Sequence, residues 1–137
     1  MPVGPERRAD DDREQTMDFR LELVILPVSD VDRAKAFYDQ LGWNMDQDNV
    51  VGDLRFVQVT PTGSACSIAF GKGLTEKEPG SVEGLQVVVE DIEAAKADLE
   101  GRGVEVRGIE DFPWGRFVWF TDPDGNGWAV QEIPDRG

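Results

Sequence analysis

The sequence predicts an α+β fold of two tandem βαβββ modules, each a curled mixed sheet, arranged around a cleft. Three observations lead there. A short apolar strand, LELVILPV, runs into VDRAKAFYDQLGW, in which Asp30 is placed to cap a helix and Val31, Ala34, Tyr38 and Leu41 fall on one helical face. The same grammar returns in GLQVVV followed by Asp91 and IEAAKADLEGRGV, with Ile92, Ala95 and Leu99 as the apolar stripe. Gly42 and Gly103 follow the last periodic residues, where a left-handed residue ends a helix.

Setting Asp30 on Asp91 fixes an offset of 61, and Val28/Val89, Ala34/Ala95, Lys35/Lys96, Ala36/Ala97 and Gly42/Gly103 then coincide. Arg55-Phe56-Val57 lands on Arg116-Phe117-Val118, and Thr60 on Thr121. One inserted residue later, Pro61, Gly63 and Ile68 meet Pro123, Gly125 and Val130, so the chain carries an internal duplication. The pieces read as strand 21–28, helix 31–41 and strands 43–51, 54–60 and 65–70. The second set is strand 84–89, helix 92–102 and strands 104–110, 115–121 and 127–133. The folded domain spans 20–134, with module one at 20–72, a Gly-, Pro- and Glu-containing linker at 73–83 and module two at 84–134. Residues 1–19 read as a disordered extension, polar and without period, within which Met17 is an alternative start.

With 137 residues, one domain of two halves buries roughly two thirds of its unfolded surface and needs no staples. A single cysteine allows no internal disulfide and suits a reducing, cytoplasmic setting. No apolar run approaches the length of a membrane span. The formal charge is −14; residues 1–17 hold three arginines against five acidic side chains, which leaves −12 on the folded part. Such a surface repels phosphate backbones and anionic membranes and favours cationic small ligands. The absence of histidine removes His-based triads and every imidazole metal site.

The duplicated module, with VSDVDRAKAFYDQLGW opening the first copy and FTDPDGNGWAVQEI closing the second, resembles the vicinal oxygen chelate superfamily. That superfamily includes glyoxalases, bleomycin-resistance proteins, fosfomycin-modifying enzymes and extradiol dioxygenases. In its metal-using members the resemblance implies one ligand on the first and one on the last strand of each module. Seven residues before each capping Asp stand Leu23 and Gly84, and the last-strand positions are Glu132 and, at an offset of 62, Phe70. Three of the four are leucine, glycine and phenylalanine, and a lone carboxylate does not hold a divalent metal. No cofactor is therefore expected. The resemblance implies the metal-free, bleomycin-resistance-like branch, whose members look like dimers that sequester a drug in clefts between modules.

On this reading Leu23 and Phe70 make the cavity apolar, with Cys66, Ile68, Trp128 and Val130 on the same strand faces as Phe70 and Glu132. Trp128 and Phe70 at alternating spacing also suit a core. Trp119 shares a strand face with Phe117, while Arg116, Val118 and Phe120 share the other. Trp114, in FPWGR at a hairpin tip, either lids the cleft or meets a partner subunit. Arg55 and Arg116 cradle an anionic group or pair with neighbouring carboxylates. TDPDGN reads as a turn. GKG at 71–73 lacks the spacing of a phosphate loop.

Glu132 has three readings. Beside Trp128 and without a metal its carboxyl would titrate high and serve as a general base, as an ionised group it would anchor a cationic ligand, and it also suits a plain strand position. The function favoured is metal-independent binding of an aromatic or cationic small molecule, such as an antibiotic, by a homodimer. The alternatives are a cofactor-independent isomerase, epimerase or lyase that uses Glu132, and, less favoured, a metal-dependent glyoxalase-like lyase.

Overall fold

A computed structural model describes residues 17–134. The order is β1 (Leu23–Ile25), α1 (Val31–Gln40), β2 (Asn44–Val51), β3 (Leu54–Thr60), β4 (Ser67–Lys72), β5 (Leu85–Val89), α2 (Ile92–Gly101), β6 (Arg107–Phe112), β7 (Gly115–Thr121) and β8 (Gly127–Glu132). Two four-stranded sheets result, ordered β1-β4-β3-β2 and β5-β8-β7-β6. In each, the first strand lies parallel to the last and the other pairings are antiparallel. The duplication in sequence is thus a duplication in topology. Most of the extension expected over 1–19, namely residues 1–16, lies outside the described residues.

Both helices start as the sequence predicts. The Asp30 side chain accepts from Arg33 N at 3.1 Å, and Asp91 from Glu93 N and Ala94 N, each at 3.0 Å. Past α2, Gly103 takes a φ of 85°, which lets Val104 N reach back to Leu99 O at 3.0 Å. That reversal delays β6, which begins at Arg107 and not at 104. β1 is shorter than expected because Pro27 has no N–H to continue the ladder; the last rung is Leu26 N to Ala69 O at 2.8 Å.

The sheets do not face each other across an open cleft within the chain. They sandwich the helices. Leu26, Val57, Val59, Ile68 and Phe70 from one sheet and Val118, Phe120, Trp128 and Val130 from the other form a single buried core with Ala34, Tyr38, Ile92 and Leu99. Tyr38 of α1 reaches both sides, with ring centroids 5.5 Å from Phe70 and 6.1 Å from Trp128, and Phe37 lies 6.1 Å from Phe120. Trp43 closes the end of α1 against Tyr38 and Trp128, the packing role its position implies.

A polar hub runs through this core. Asp122, in the turn between β7 and β8, is 3 % exposed. Its Oδ1 accepts from the N–H groups of Asp124, Gly125 and Asn126 at 2.9–3.0 Å. Its Oδ2 accepts from Tyr38 Oη and from Asn126 Nδ2, both at 2.9 Å. Trp128 Nε1 in turn donates to Tyr38 Oη at 3.0 Å. Asn126 Nδ2 also donates to Pro27 O at 2.9 Å, and Ser29 and Arg33 hold the neighbouring Asp124 and Pro123. TDPDGN is therefore a turn, as predicted, and also the seam between the modules. Burial first, and then the Asp122 charge, pushes the Tyr38 phenol far above its ordinary range, so it stays a donor.

Tyr38→Phe removes the acceptor of Trp128 Nε1 and a donor to Asp122 inside the core. Urea denaturation should register a loss of about 1–3 kcal/mol, with the melting point down by several degrees. Asp122→Ala, which strands five donors, should cost more than Tyr38→Phe in the same assay.

Candidate functional site

Strand alternation decides which side chains are free for function. On β7 and β8, Arg116, Val118, Phe120, Trp128, Val130 and Glu132 point to the helices, and Phe117, Trp119, Ala129 and Gln131 point away. On β3 and β4, Val57, Val59, Ile68 and Phe70 point to the helices, and Phe56, Gln58, Ser67 and Ala69 point away. These placements put Phe70, Ile68 and Val130, expected along a cleft, in the core; Trp128 points the same way and also borders the recess described below. Phe70 is fully buried against Tyr38, and Trp128 is stacked on Phe120 with centroids 6.0 Å apart. The reason is volume: the face carrying the larger continuous apolar set takes the helices, and the other parity is turned outward.

Glu132 also sits on the helix side. It is half-buried, and its Oε1 accepts from Ile92 N at 2.8 Å, so the carboxylate serves the first turn of α2 together with Asp91. Of its three readings, this geometry is that of the structural one. Arg55 and Arg116 are engaged as well. Arg55 forks onto Asp48 at 3.0 and 2.9 Å and reaches Asp32 at 2.9 Å, while Lys35 adds a 2.7 Å contact to Asp48. Arg116 pairs with Asp111 at 3.0 Å and Glu93 at 3.4 Å. Both make the carboxylate pairs that were the second of their two expected roles. Cys66 precedes β4 as a free, half-buried thiol whose Sγ lies 3.6 Å from Ser67 O.

What the outward face of the second sheet presents is aromatic. Phe112 stacks on Trp114 with centroids 5.2 Å apart, Phe117 stacks on Trp119 at 5.8 Å, and Phe112 meets Phe117 edge-on at 5.6 Å. Trp114 is 61 % exposed at its hairpin tip, and Val88 on β5 is 57 % exposed. The guanidinium of Arg107 lies 5.3 Å from the Trp119 ring. Gln131, nearly buried, donates from Nε2 to Trp114 O at 2.9 Å and accepts from Gln86 Nε2 at 2.6 Å, which fixes the tip over the sheet. Gly115 permits this: a Cβ there would stand 2.9 Å from Gln131 Nε2. At one end the face opens into a recess of about 790 Å³, lined by Glu83, Gly84, Glu105, Arg107, Trp119 and Thr121 among others.

Trp114 and Trp119 are thus brought together, as the sequence allows. Leu23 faces outward on the first sheet beside Ser67, on the far side of the molecule from Trp119. Phe112, Gln86 and Gln131 were not singled out from sequence; the signal was available in the alternation, since Gln131 is one position from Glu132. For a metal, the outward positions of β1 and β4 are Leu23, Ile25, Ser67 and Ala69, and those of β5 and β8 are Gln86, Val88, Ala129 and Gln131. None is a carboxylate, thiol or imidazole. Among the described residues no group of three potential ligands converges. The metal that the fold implies does not fit these residues.

Two consequences are measurable. Glu132→Ala should destabilise the protein by about 0.5–2 kcal/mol through the lost acceptor at the start of α2, with Glu132→Gln much milder. The hydrogen bonds from Arg55, and then from Lys35, hold the Asp48 carboxyl well below the usual carboxylate range. A depressed folded value adds stability above the unfolded value of about 3.9 and loses it as pH falls toward the folded one. Asp48→Asn should therefore be less stable than the parent at pH 6, and the gap in unfolding free energy should begin to narrow below about pH 4 and keep narrowing as the pH falls further.

Comparison with known proteins places this geometry. Residues 20–130 match the family described as Glyoxalase/Bleomycin resistance protein/Dioxygenase superfamily. Among solved structures, TnmS3, an antibiotic binding protein from Streptomyces sp. CB03234, is 34% identical with a TM-score of 0.78, over 86% of this chain and 98% of that one. A glyoxalase/bleomycin resistance protein from the same organism is 36% identical with a TM-score of 0.72, over 82% and 99%. Among curated proteins, the uncharacterized YetH of Bacillus subtilis (strain 168) is 26% identical over 80% of this chain and 94% of its own. A duplicated βαβββ chain that matches over both modules belongs to the glyoxalase/bleomycin resistance protein/dioxygenase superfamily.

Proposed function

We propose that this protein binds a small aromatic organic molecule without a metal and sequesters it, and that it does so as a homodimer. The carrying observation is the outward aromatic face of the second sheet. Phe112 and Trp114 are exposed and Trp119 is half-buried, and together with the buried Phe117 beneath them they offer a stacking surface. A soluble domain leaves such a patch open for a ligand or a partner. The likeness to an antibiotic binding protein at 34% identity supports an antibiotic-like compound as the ligand class. Glu83 and Glu105 outnumber Arg107 at the recess, and on a chain of net charge −14 this balance favours a ligand that carries a positive group at that end.

The same geometry supports a dimer. Within one chain the two outward faces point apart, so neither is a cleft by itself, and β1 and β5 are edge strands with unpaired ladder groups. A second copy that sets its first sheet beside the second sheet of its partner closes both edges, covers Ile25 and Val88, and makes two equivalent clefts. Each cleft then has one wall from each protomer. A single free cysteine suits the cytoplasm as the place of action.

Titration of tryptophan fluorescence with aromatic antibiotics should saturate at one ligand per chain and leave the compound unchanged. Trp119→Ala should weaken binding roughly tenfold or more through lost stacking, and Glu132→Gln should leave it as it was. Sedimentation equilibrium should give twice the 15.2 kDa chain mass, and Val88→Asp should yield monomers that no longer bind. Turnover of the compound, or binding indifferent to Trp119, would overturn the sequestration reading; a ligand-binding monomer would overturn the dimeric cleft.

A further inference from the structure

The two outward faces are chemically unlike at equivalent positions. Under the duplication, Gln58 stands where Trp119 stands, Ser67 where Ala129 stands, and Gln47 pairs with Gln58 as Arg107 pairs with Trp119. In place of stacked rings the first sheet carries a chain of side-chain hydrogen bonds. Asn49 Nδ2 donates to Gln47 Oε1 at 2.6 Å, and Gln47 Nε2 to Gln58 Oε1 at 3.0 Å. Gln58 Nε2 then donates to Asp46 Oδ2 and Ser67 Oγ, both at 3.3 Å. Thr60 Oγ1 lies 2.6 Å from Ser67 Oγ and also bonds Asp46. Side chain to side chain bonds are a small minority in proteins, and here six residues from three strands share them on one face.

We infer that this face is a polyol subsite, and that the ligand is an aromatic compound bearing a sugar or a similar run of hydroxyls, an aryl glycoside in the simplest case. The inference rests on the dimeric cleft proposed above, in which this wall opposes the aromatic wall of the partner. Three properties of the face select that chemistry. Amides and hydroxyls both donate and accept, as each ligand hydroxyl does, so neighbouring hydroxyls can be matched group by group. The mutual bonds hold Gln47 and Gln58 in place before the ligand arrives, which lowers the cost of ordering them. Among the described residues no lysine or arginine lies on this face and Asp46 is its one charge, so a phosphate or carboxylate is disfavoured where a neutral polyol is not. A purely apolar ligand filling the cleft would strip water from these amides and return nothing.

The test uses the full chain and matched pairs of aryl glucoside and aglycone, with flavonol, anthraquinone and coumarin rings, followed by isothermal titration and tryptophan fluorescence. The glucoside of at least one pair should bind tenfold or more tightly than its aglycone. Gln58→Leu should abolish that preference by weakening the glucoside without weakening its aglycone, and Asn49→Ala, at an exposed position, should reduce it without affecting stability. Trp119→Ala should weaken both members of a pair equally. If aglycones bind as tightly as glucosides, or if Gln58→Leu weakens both alike, the polyol subsite is wrong and the aromatic-binding function survives. If no member of any pair binds, both fall.

Discussion

The constraint on which the structure depends is the burial of one carboxylate at the junction of two modules. Asp122 satisfies three backbone donors of its own turn, then spends its second oxygen on Tyr38 from the first helix and Asn126 from its own turn. Removing such a group from water is costly unless every lone pair finds a donor, and here the donors come from both halves of the duplication. The same atoms therefore fold the turn, orient α1 and fix which faces of the two sheets meet. With Tyr38 held by Asp122 and Trp128, its ring can fill the space between the sheets. The helices become the middle layer.

From that arrangement the functional geography follows. Each sheet has one face committed to the shared core and one face released from it. The committed faces remain alike in the two copies, as Val57/Val118 and Ile68/Val130 illustrate, because they fill the same interior. The released faces lie outside the shared core and differ in chemistry, Gln58 standing where Trp119 stands. Duplication supplies two platforms, and burial of the helix-side faces leaves the other two available for recognition. The charged pairs are distributed by the same rule: Arg55 and Arg116, both on helix-side parity, sit at the margins of the helices with Asp48, Asp32, Asp111 and Glu93.

Much of the fold was legible in the sequence, because helix caps, Gly stops and strand runs are local. Asp30, Asp91, Gly42 and Gly103 do in the structure what their spacing implies, and the offset of 61 exposes the repeated topology without any three-dimensional information. The candidate site was legible only in part. Trp114 and Trp119 are where an aromatic surface forms, whereas Phe70 and Trp128 belong to the core and Glu132 to the start of α2. Alternation divides a strand into two faces with certainty and is silent on which of them a helix will cover.

The sequence by itself determined the two modules, their element order, their family and the lack of imidazole and of paired thiols, since each depends on residue identity or on spacing along the chain. Tertiary structure alone decided the sides. Whether Val130 or Gln131 looks into the core, whether Glu132 meets a ligand or the Ile92 N–H, and whether Asp122 is a solvated turn residue or a buried hub all depend on which surfaces exclude water together. That choice is made by the summed burial of side chains distant in sequence, Tyr38 against Phe70 and Trp128 above all, and no local pattern encodes it.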